Sequence, residues 1–247
     1  MSDVIVLIPT RLPAQRLPNK PLADVHGKPM IVHVWQRAVA ADLGPVVVAC
    51  ADAPIAAAIT DAGGNAVLTD PALPSGTDRI TAALHQIDPD KRFRKVINVQ
   101  GDLPTLDPHL LIDALRPLDE LGADIGTLVC ATEDPAERDN PNVVKAIVSW
   151  QPDAAGLGRC LYFTRASAPS GSGPVWHHIG LYAYTRAALE AMAAWPPSPL
   201  EQRERLEQLR ALEHGLIIGA SLVDTVPLGV DTPEDLDKAR ARLAPSP

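Results

Sequence analysis

Aliphatic runs rich in β-branched residues alternate with segments of helical spacing through the first half of this chain, which sharply narrows the possible folds. Val4-Ile5-Val6-Leu7-Ile8 is unbroken by polar residues, as expected of a strand covered on both faces. Apolar residues then recur at helical spacing from Pro29 to Asp42, and Gly44-Pro45 marks the stop. The pattern repeats as strand 46–50, helix 54–62, strand 66–68, helix 78–87, strand 96–99 and helix 108–121. Such alternation predicts an α/β fold with a mainly parallel sheet flanked by helices. The second half reads differently. Val143–Trp150, Leu157–Thr164 and Ile179–Tyr184 are expected strands, Pro199–His214 a single helix and Pro233–Leu243 a closing helix. No internal repeat or linker composition interrupts the chain. The expectation is one domain over 1–247, with an antiparallel insertion at roughly 143–185.

Composition excludes several classes. Hydrophobic residues make up 46% of the 247, too many for a polar disordered chain. No apolar stretch approaches the roughly 20 residues of a membrane helix. The formal net charge of −8 argues against a general nucleic-acid binder, because affinity for phosphate backbones comes from clustered Lys and Arg. A phosphorylated small ligand needs only a few placed cations and stays open. Cys50, Cys130 and Cys160 are scattered without metal-ligand spacing and are expected as reduced, buried thiols. With no basic segment at Met-Ser-Asp, the expected location is the cytoplasm.

The segment 8–22, Ile-Pro-Thr-Arg-Leu-Pro-Ala-Gln-Arg-Leu-Pro-Asn-Lys-Pro-Leu, follows the first strand, so it emerges where open α/β sheets bind ligands. It fits neither the dinucleotide fingerprint nor the P-loop. It sets Arg11, Arg16 and Lys20 on a loop stiffened by prolines, an arrangement able to surround a triphosphate. In Asn98-Val99-Gln100-Gly101-Asp102, the Asp just past a buried strand is a candidate Mg²⁺ ligand, since this ion takes one or two carboxylates and keeps waters. In Gly229-Val230-Asp231-Thr232-Pro233-Glu234-Asp235, helix capping accounts for Thr232 onward and leaves Asp231 as the second candidate. Ser75 or Thr77 can cap the helix that follows, and spacing alone leaves open whether Arg79 also reaches a ligand. Glu201, Glu204 and Glu207 recur at intervals of three, the pattern of a solvated helix face. His177 and His178, adjacent on a strand, point to opposite faces and cannot easily share a metal.

These segments together with 27–34, 140–145, 197–201 and 206–210 run in one order along nearly the whole chain, and that order resembles the 3-deoxy-manno-octulosonate cytidylyltransferase family. The resemblance implies a Rossmann-like nucleotidyltransferase fold and a homodimer formed through the antiparallel insertion. It also implies Mg²⁺-dependent transfer of CMP from CTP to 3-deoxy-D-manno-octulosonate (Kdo). It makes Arg11, Arg16 and Lys20 triphosphate contacts and assigns Ser75 and Arg79 to the cytidine pocket. Lys20, Asp102 and Asp231 are implied as catalytic, the two aspartates as metal ligands. Gln100, Arg165, His178, Tyr182, Glu207 and Gln208 fall around the sugar acid. One segment departs from the family. Ser170-Gly171-Ser172-Gly173-Pro174 replaces an aromatic, charged stretch, so Arg165 is expected as the main cation facing the sugar carboxylate and the loop is expected to be mobile.

Overall fold

The computed structural model describes residues 2–12 and 16–244. Its contacts gather into two compact units, residues 1–111 with 227–247, and residues 112–226. One boundary falls inside a helix and the other beside Val226, neither of which has the composition of a linker.

The first unit opens with β1 (Val4–Thr10), buried along its whole length. A two-residue hairpin, β2 (Asp24–Val25) and β3 (Lys28–Pro29), leads into α1 (Met30–Ala40). Then follow β4 (Val46–Cys50), α2 (Ala53–Asp61), β5 (Asn65–Leu68), α3 (Gly76–Ile87) and β6 (Lys95–Asn98). The four longer strands pair in parallel in the order β5-β4-β1-β6, with Val6 beside Val46 and Ile5 beside Val96. Crossover helices account for the parallel pairing and for strands apolar on both faces.

Helix α4 (His109–Leu121) carries the chain into the second unit. Here β7 (Ile125–Thr132) is followed by α5 (Pro135–Asp139), β8 (Lys145–Trp150), β9 (Leu157–Thr164) and β10 (Val175–Thr185). Three short helices, α6 (Arg186–Ala194), α7 (Pro199–Glu204) and α8 (Gln208–Glu213), precede β11 (Ile218–Val223). The sheet is mixed. β7 and β11 are parallel, β10/β7, β11/β9 and β9/β8 antiparallel, and β8 also pairs with β10, so the five strands form a closed circuit. The chain then returns to the first unit with α9 (Pro233–Arg242), where Val230, Leu236 and Ala239 join Val25 and Met30 in one apolar cluster.

The sequence reading misses β7 and β11, and both carry a glycine that breaks the apolar run. Gly126 and Gly219 are register partners, and a Cβ on either would meet α4, at the Ala114 carbonyl or 2.6 Å from Pro117 Cβ. The two glycines let the helix lie directly on the strands. The expected helix 199–214 is corrected to two. Arg205 turns left-handed (φ 57°), and the carbonyls of Glu204 and Arg205, which a continuing helix would use, accept from the Arg165 guanidinium. Cys130 is half-buried rather than buried; Cys50 and Cys160 lie in the core, where burial pushes the Cys160 thiol up to about 12.

Candidate active site

A cavity of about 370 Å³ opens in the first unit at the carboxyl ends of β1 and β6, lined by Thr10, Arg11, Lys20, Ser75, Arg79, Gln100 and Asp102 among others. Pro13, Ala14 and Gln15 of the basic loop lie outside the described residues. Leu12 N–H donates to the Asp52 carboxylate (2.8 Å) at the loop's start, and left-handed Asn19 begins the 3-10 turn Lys20–Leu22 at its end. Gly101 lies so close to β1 that a Cβ there would stand 2.8 Å from the Pro9 carbonyl oxygen. Val230 N–H donates to the Asp102 carbonyl (2.9 Å), which brings Asp231 beside Asp102 across more than half the sequence.

Charge concentrates at this point. Lys20 Nζ lies 3.0 Å from Asp102 Oδ2 and 3.0 Å from Asp231 Oδ1, and Arg16 Nη2 lies 2.9 Å from Asp231 Oδ2. Burial alone would lower the Lys20 pKa, but the two carboxylates outweigh it and hold the ammonium above its ordinary range. Two carboxylates converging on one point, with Asp102 on the cavity wall, suit Mg²⁺, which takes one or two carboxylates and fills its shell with water and phosphate oxygens. Among the described residues no cluster of three or more His, Cys, Asp or Glu offers an all-protein metal cage. The donor set therefore fits a metal shared with a phosphorylated ligand.

A second part of the cavity wall is built on α3, through Ser75, Gly76 and Arg79. Ser75 caps this helix, its Oγ accepting from Asp78 N–H (3.1 Å) and donating to Asp78 Oδ2 (2.7 Å). Arg79 is buried, with Nη1 donating to Thr69 Oγ1 (2.6 Å) and to the Asp70 carbonyl (3.2 Å). Burial, and then the charge of Arg11, lower its pKa. Arg79 thus braces the wall through Thr69 and Asp70 as well as lining the cavity.

Five sugar-side candidates belong to the second unit; Gln100 lines the cavity of the first. His178 and Tyr182 stand four apart on β10, about 13 Å in a regular strand. A register shift between Ile179 and Tyr182 brings their ring centroids to 5.5 Å. Thr127 Oγ1 has a single proton to share between the Ile179 and Leu181 carbonyls (3.1 and 3.0 Å), and it meets His178 Nε2 at 3.1 Å. Burial, then His177, depress His178 to about 3, so this ring is neutral. Burial, then Tyr184, Glu207 and Cys160, push the Tyr182 phenol well above its ordinary range. Gln208 is 7% exposed, and its Nε2 has no hydrogen-bond partner among the described residues, a buried donor suited to a ligand.

The Arg165 guanidinium gives one N–H each from Nε, Nη1 and Nη2 to the carbonyls of Glu204, Pro141 and Arg205, which uses three of its five N–H groups. Two expectations need correction. Loop 170–173 is pinned from outside, because Arg138 donates to the carbonyls of Pro169 (2.5 Å), Gly171 (2.8 Å) and Gly173 (3.4 Å). The three glutamates do not form one solvated face. Glu201 pairs with Arg210 at 2.6 and 2.8 Å, and Glu204 accepts from Thr164 Oγ1 and Arg165 N–H. The sequence reading also gives no role to Lys145. It is wholly buried, with Nζ 3.0, 2.7 and 2.9 Å from the carbonyls of Asn140, Val143 and Arg165. Its signal was a lone cation inside the apolar run 143–148.

Comparison with known proteins extends the picture. A sequence model of the cytidylyltransferase family matches residues 5–218. A 3-deoxy-manno-octulosonate cytidylyltransferase of Paramagnetospirillum magneticum is 56% identical over 97% of each chain. Another, of Rhodospirillum centenum, is 59% identical over 98% of this chain and 93% of its own. A solved CMP:2-keto-3-deoxy-manno-octonic acid synthetase, complexed with CTP, superposes with a TM-score of 0.90 at 36% identity, covering 98% and 99% of the two chains. With likeness of this extent in sequence and backbone, the chain belongs to the 3-deoxy-manno-octulosonate cytidylyltransferase family.

Proposed function

We propose that this cytidylyltransferase transfers CMP from CTP to the anomeric hydroxyl of Kdo and releases pyrophosphate, a step of lipopolysaccharide biosynthesis. The observation that carries the reading is Lys20, held 3.0 Å from both Asp102 and Asp231 on the wall of a cavity that Arg11 also lines. The sugar hydroxyl attacks the α-phosphorus in line while pyrophosphate leaves opposite, a transfer that asks for positioning and charge stabilisation. The Lys20 ammonium meets charge building at the α-phosphate, and Arg11 and Arg16 hold the departing diphosphate. Ser75 and Arg79 bound the cytidine. Gln100, Arg165, His178, Tyr182, Glu207 and Gln208 receive the sugar acid. Neutral His178 and protonated Tyr182 serve there as hydrogen-bonding partners rather than charges. Mg²⁺, held by Asp102 and Asp231, would supply neutralisation of phosphate charge and a lowered hydroxyl pKa.

The working form we propose is a cytoplasmic homodimer joined through the antiparallel strands of the second unit. No described helix is long and apolar enough to cross a membrane. The test is pyrophosphate release from CTP and Mg²⁺ with a panel of acid sugars. Turnover with Kdo is expected, and release only with another acid, or none, overturns the assignment. Asp102→Asn and Asp231→Asn should each nearly abolish turnover, and either one retaining near-normal Mg²⁺-dependent activity removes that residue from the metal site.

A further inference from the structure

Building on that reading, we infer that Lys20 and a divalent cation are alternative occupants of the position between Asp102 and Asp231, and that the triphosphate exchanges one for the other. The two carboxylate oxygens that converge there, Asp102 Oδ2 and Asp231 Oδ1, are each taken by the same ammonium at 3.0 Å. A cation seeking those oxygens must first displace Lys20. The charge count points the same way. Asp102 and Asp231 supply two negative charges, and Lys20 with Arg16 supply two positive ones, so the cluster is neutral as it stands. Adding a divalent ion would leave it strongly positive beside Arg11 and the buried Arg79.

A triphosphate reverses this balance. It brings several negative charges to the wall that holds Lys20 and Arg11, and its oxygens compete with the carboxylates for the ammonium. Lysine suits the exchange because its charge is compact and rides on a flexible four-carbon stem, whereas a planar guanidinium would be fixed by its fork geometry. Arg16 is the weaker occupant, since its side chain is 67% exposed and its ion pair is with Asp231 rather than with both carboxylates among the described residues. Metal and nucleotide are then positively coupled through the position of one side chain, and that coupling is the same size in both directions. Lys20 accordingly has two partners in turn, the carboxylates before nucleotide binds and the phosphate afterwards.

The experiment titrates Mn²⁺ into nucleotide-free protein and follows free Mn²⁺ by electron paramagnetic resonance, which reads binding rather than turnover. Wild type should bind weakly. Lys20→Met and Lys20→Gln should each bind at least about tenfold more tightly, and every tenfold is about 1.4 kcal/mol. Adding Asp231→Asn to Lys20→Met should abolish the gain. Affinity that is unchanged or weaker in both Lys20 variants overturns the exchange, while a protein-bound Mn²⁺ signal in wild type with CTP keeps the metal assignment standing. Absence of any protein-bound signal in wild type with CTP overturns the metal assignment and the exchange with it.

Discussion

Lys145→Met would remove one ammonium from the interior while keeping an unbranched side chain of similar length. Lys145 is fully buried and holds three carbonyls together: Asn140, Val143 and Arg165. In the variant the Asn140 oxygen keeps the Val143 N–H (3.1 Å), but the other two lose the ammonium. Each orphaned acceptor costs about 1–3 kcal/mol, or about 2–6 for the pair. Part of this is offset because a charge no longer has to be buried, a cost already visible in the lowered Lys145 pKa, where desolvation is the first cause. A net loss of about 3 kcal/mol, with a urea dependence of about 2 kcal/mol per molar, moves the unfolding midpoint down by about 1.5 M. The consequence for function runs through Arg165, whose carbonyl Lys145 holds directly and whose guanidinium donates to Pro141 in the tethered turn (3.0 Å). The KM for the sugar acid should therefore rise several-fold, while that for CTP, whose candidate contacts all lie in the first unit, stays put. Urea unfolding followed by circular dichroism, and pyrophosphate release with each substrate varied, measure both. A variant within about 0.5 kcal/mol of wild type, the range of an ordinary surface change, with an unaltered sugar KM would show that the ammonium does not hold this turn.

Four further outcomes follow from the same structure. Lys20→Ala should cut kcat by about 10²–10³ while CTP binding, read by calorimetry, changes far less; equal losses would make Lys20 a ground-state anchor only. His178 stays neutral in the fold down to about 3 but takes a proton near 6.5 when unfolded, so stability should fall as pH drops from about 6.5 toward 3, by up to about 1.4 kcal/mol per unit. His178→Gln should flatten that slope in urea midpoints measured across the range. Arg210→Ala should cost about 3–5 kcal/mol at neutral pH by stranding Glu201. Burial would raise the Glu201 carboxyl, but Arg210 and the Ser198 N–H hold it below the ordinary 4.5, so this stabilisation is lost on acidification and the variant should approach wild type in acid. Arg138→Ala should speed hydrogen exchange across 169–173, and unchanged protection there would show that the loop holds itself.

The parts of the fold legible in the sequence were those in which one local pattern decides the structure. The apolar run of β1, the cap at Ser75 and the capping box joining Thr232 to Asp235 each depend on neighbours in the chain. Asp231 was likewise singled out because capping left its carboxylate unexplained, and the structure gives it Lys20 and Arg16. What escaped depends on distant partners. Gly126 and Gly219 look like interruptions until α4 is seen resting on them. The break at Arg205 is written in Arg165, forty residues earlier, and the order of loop 170–173 in Arg138. Register shifts are equally silent in a hydrophobic pattern, so the meeting of His178 with Tyr182 could not be read from their spacing.

A division of labour explains why the candidate site residues can be so polar and still so well placed. Few of them hold themselves. Asp231 is half exposed, yet the residue before it is fully buried and donates its N–H to the Asp102 carbonyl, so backbone fixes the distance between two mutually repelling carboxylates. Gly101 sets the height of Asp102 by its contact distance to Pro9, and left-handed Asn19 turns Lys20 back toward both. In the second unit Thr127 bridges the bulge carbonyls and the His178 ring, and Lys145 gathers the turn on which Arg165 rests. Because neutral backbone and buried polar groups carry the geometry, the charged ends of Lys20 and Arg16 remain able to change partners when a triphosphate arrives. A site built only from mutual salt bridges would have to break its own scaffold to bind its substrate.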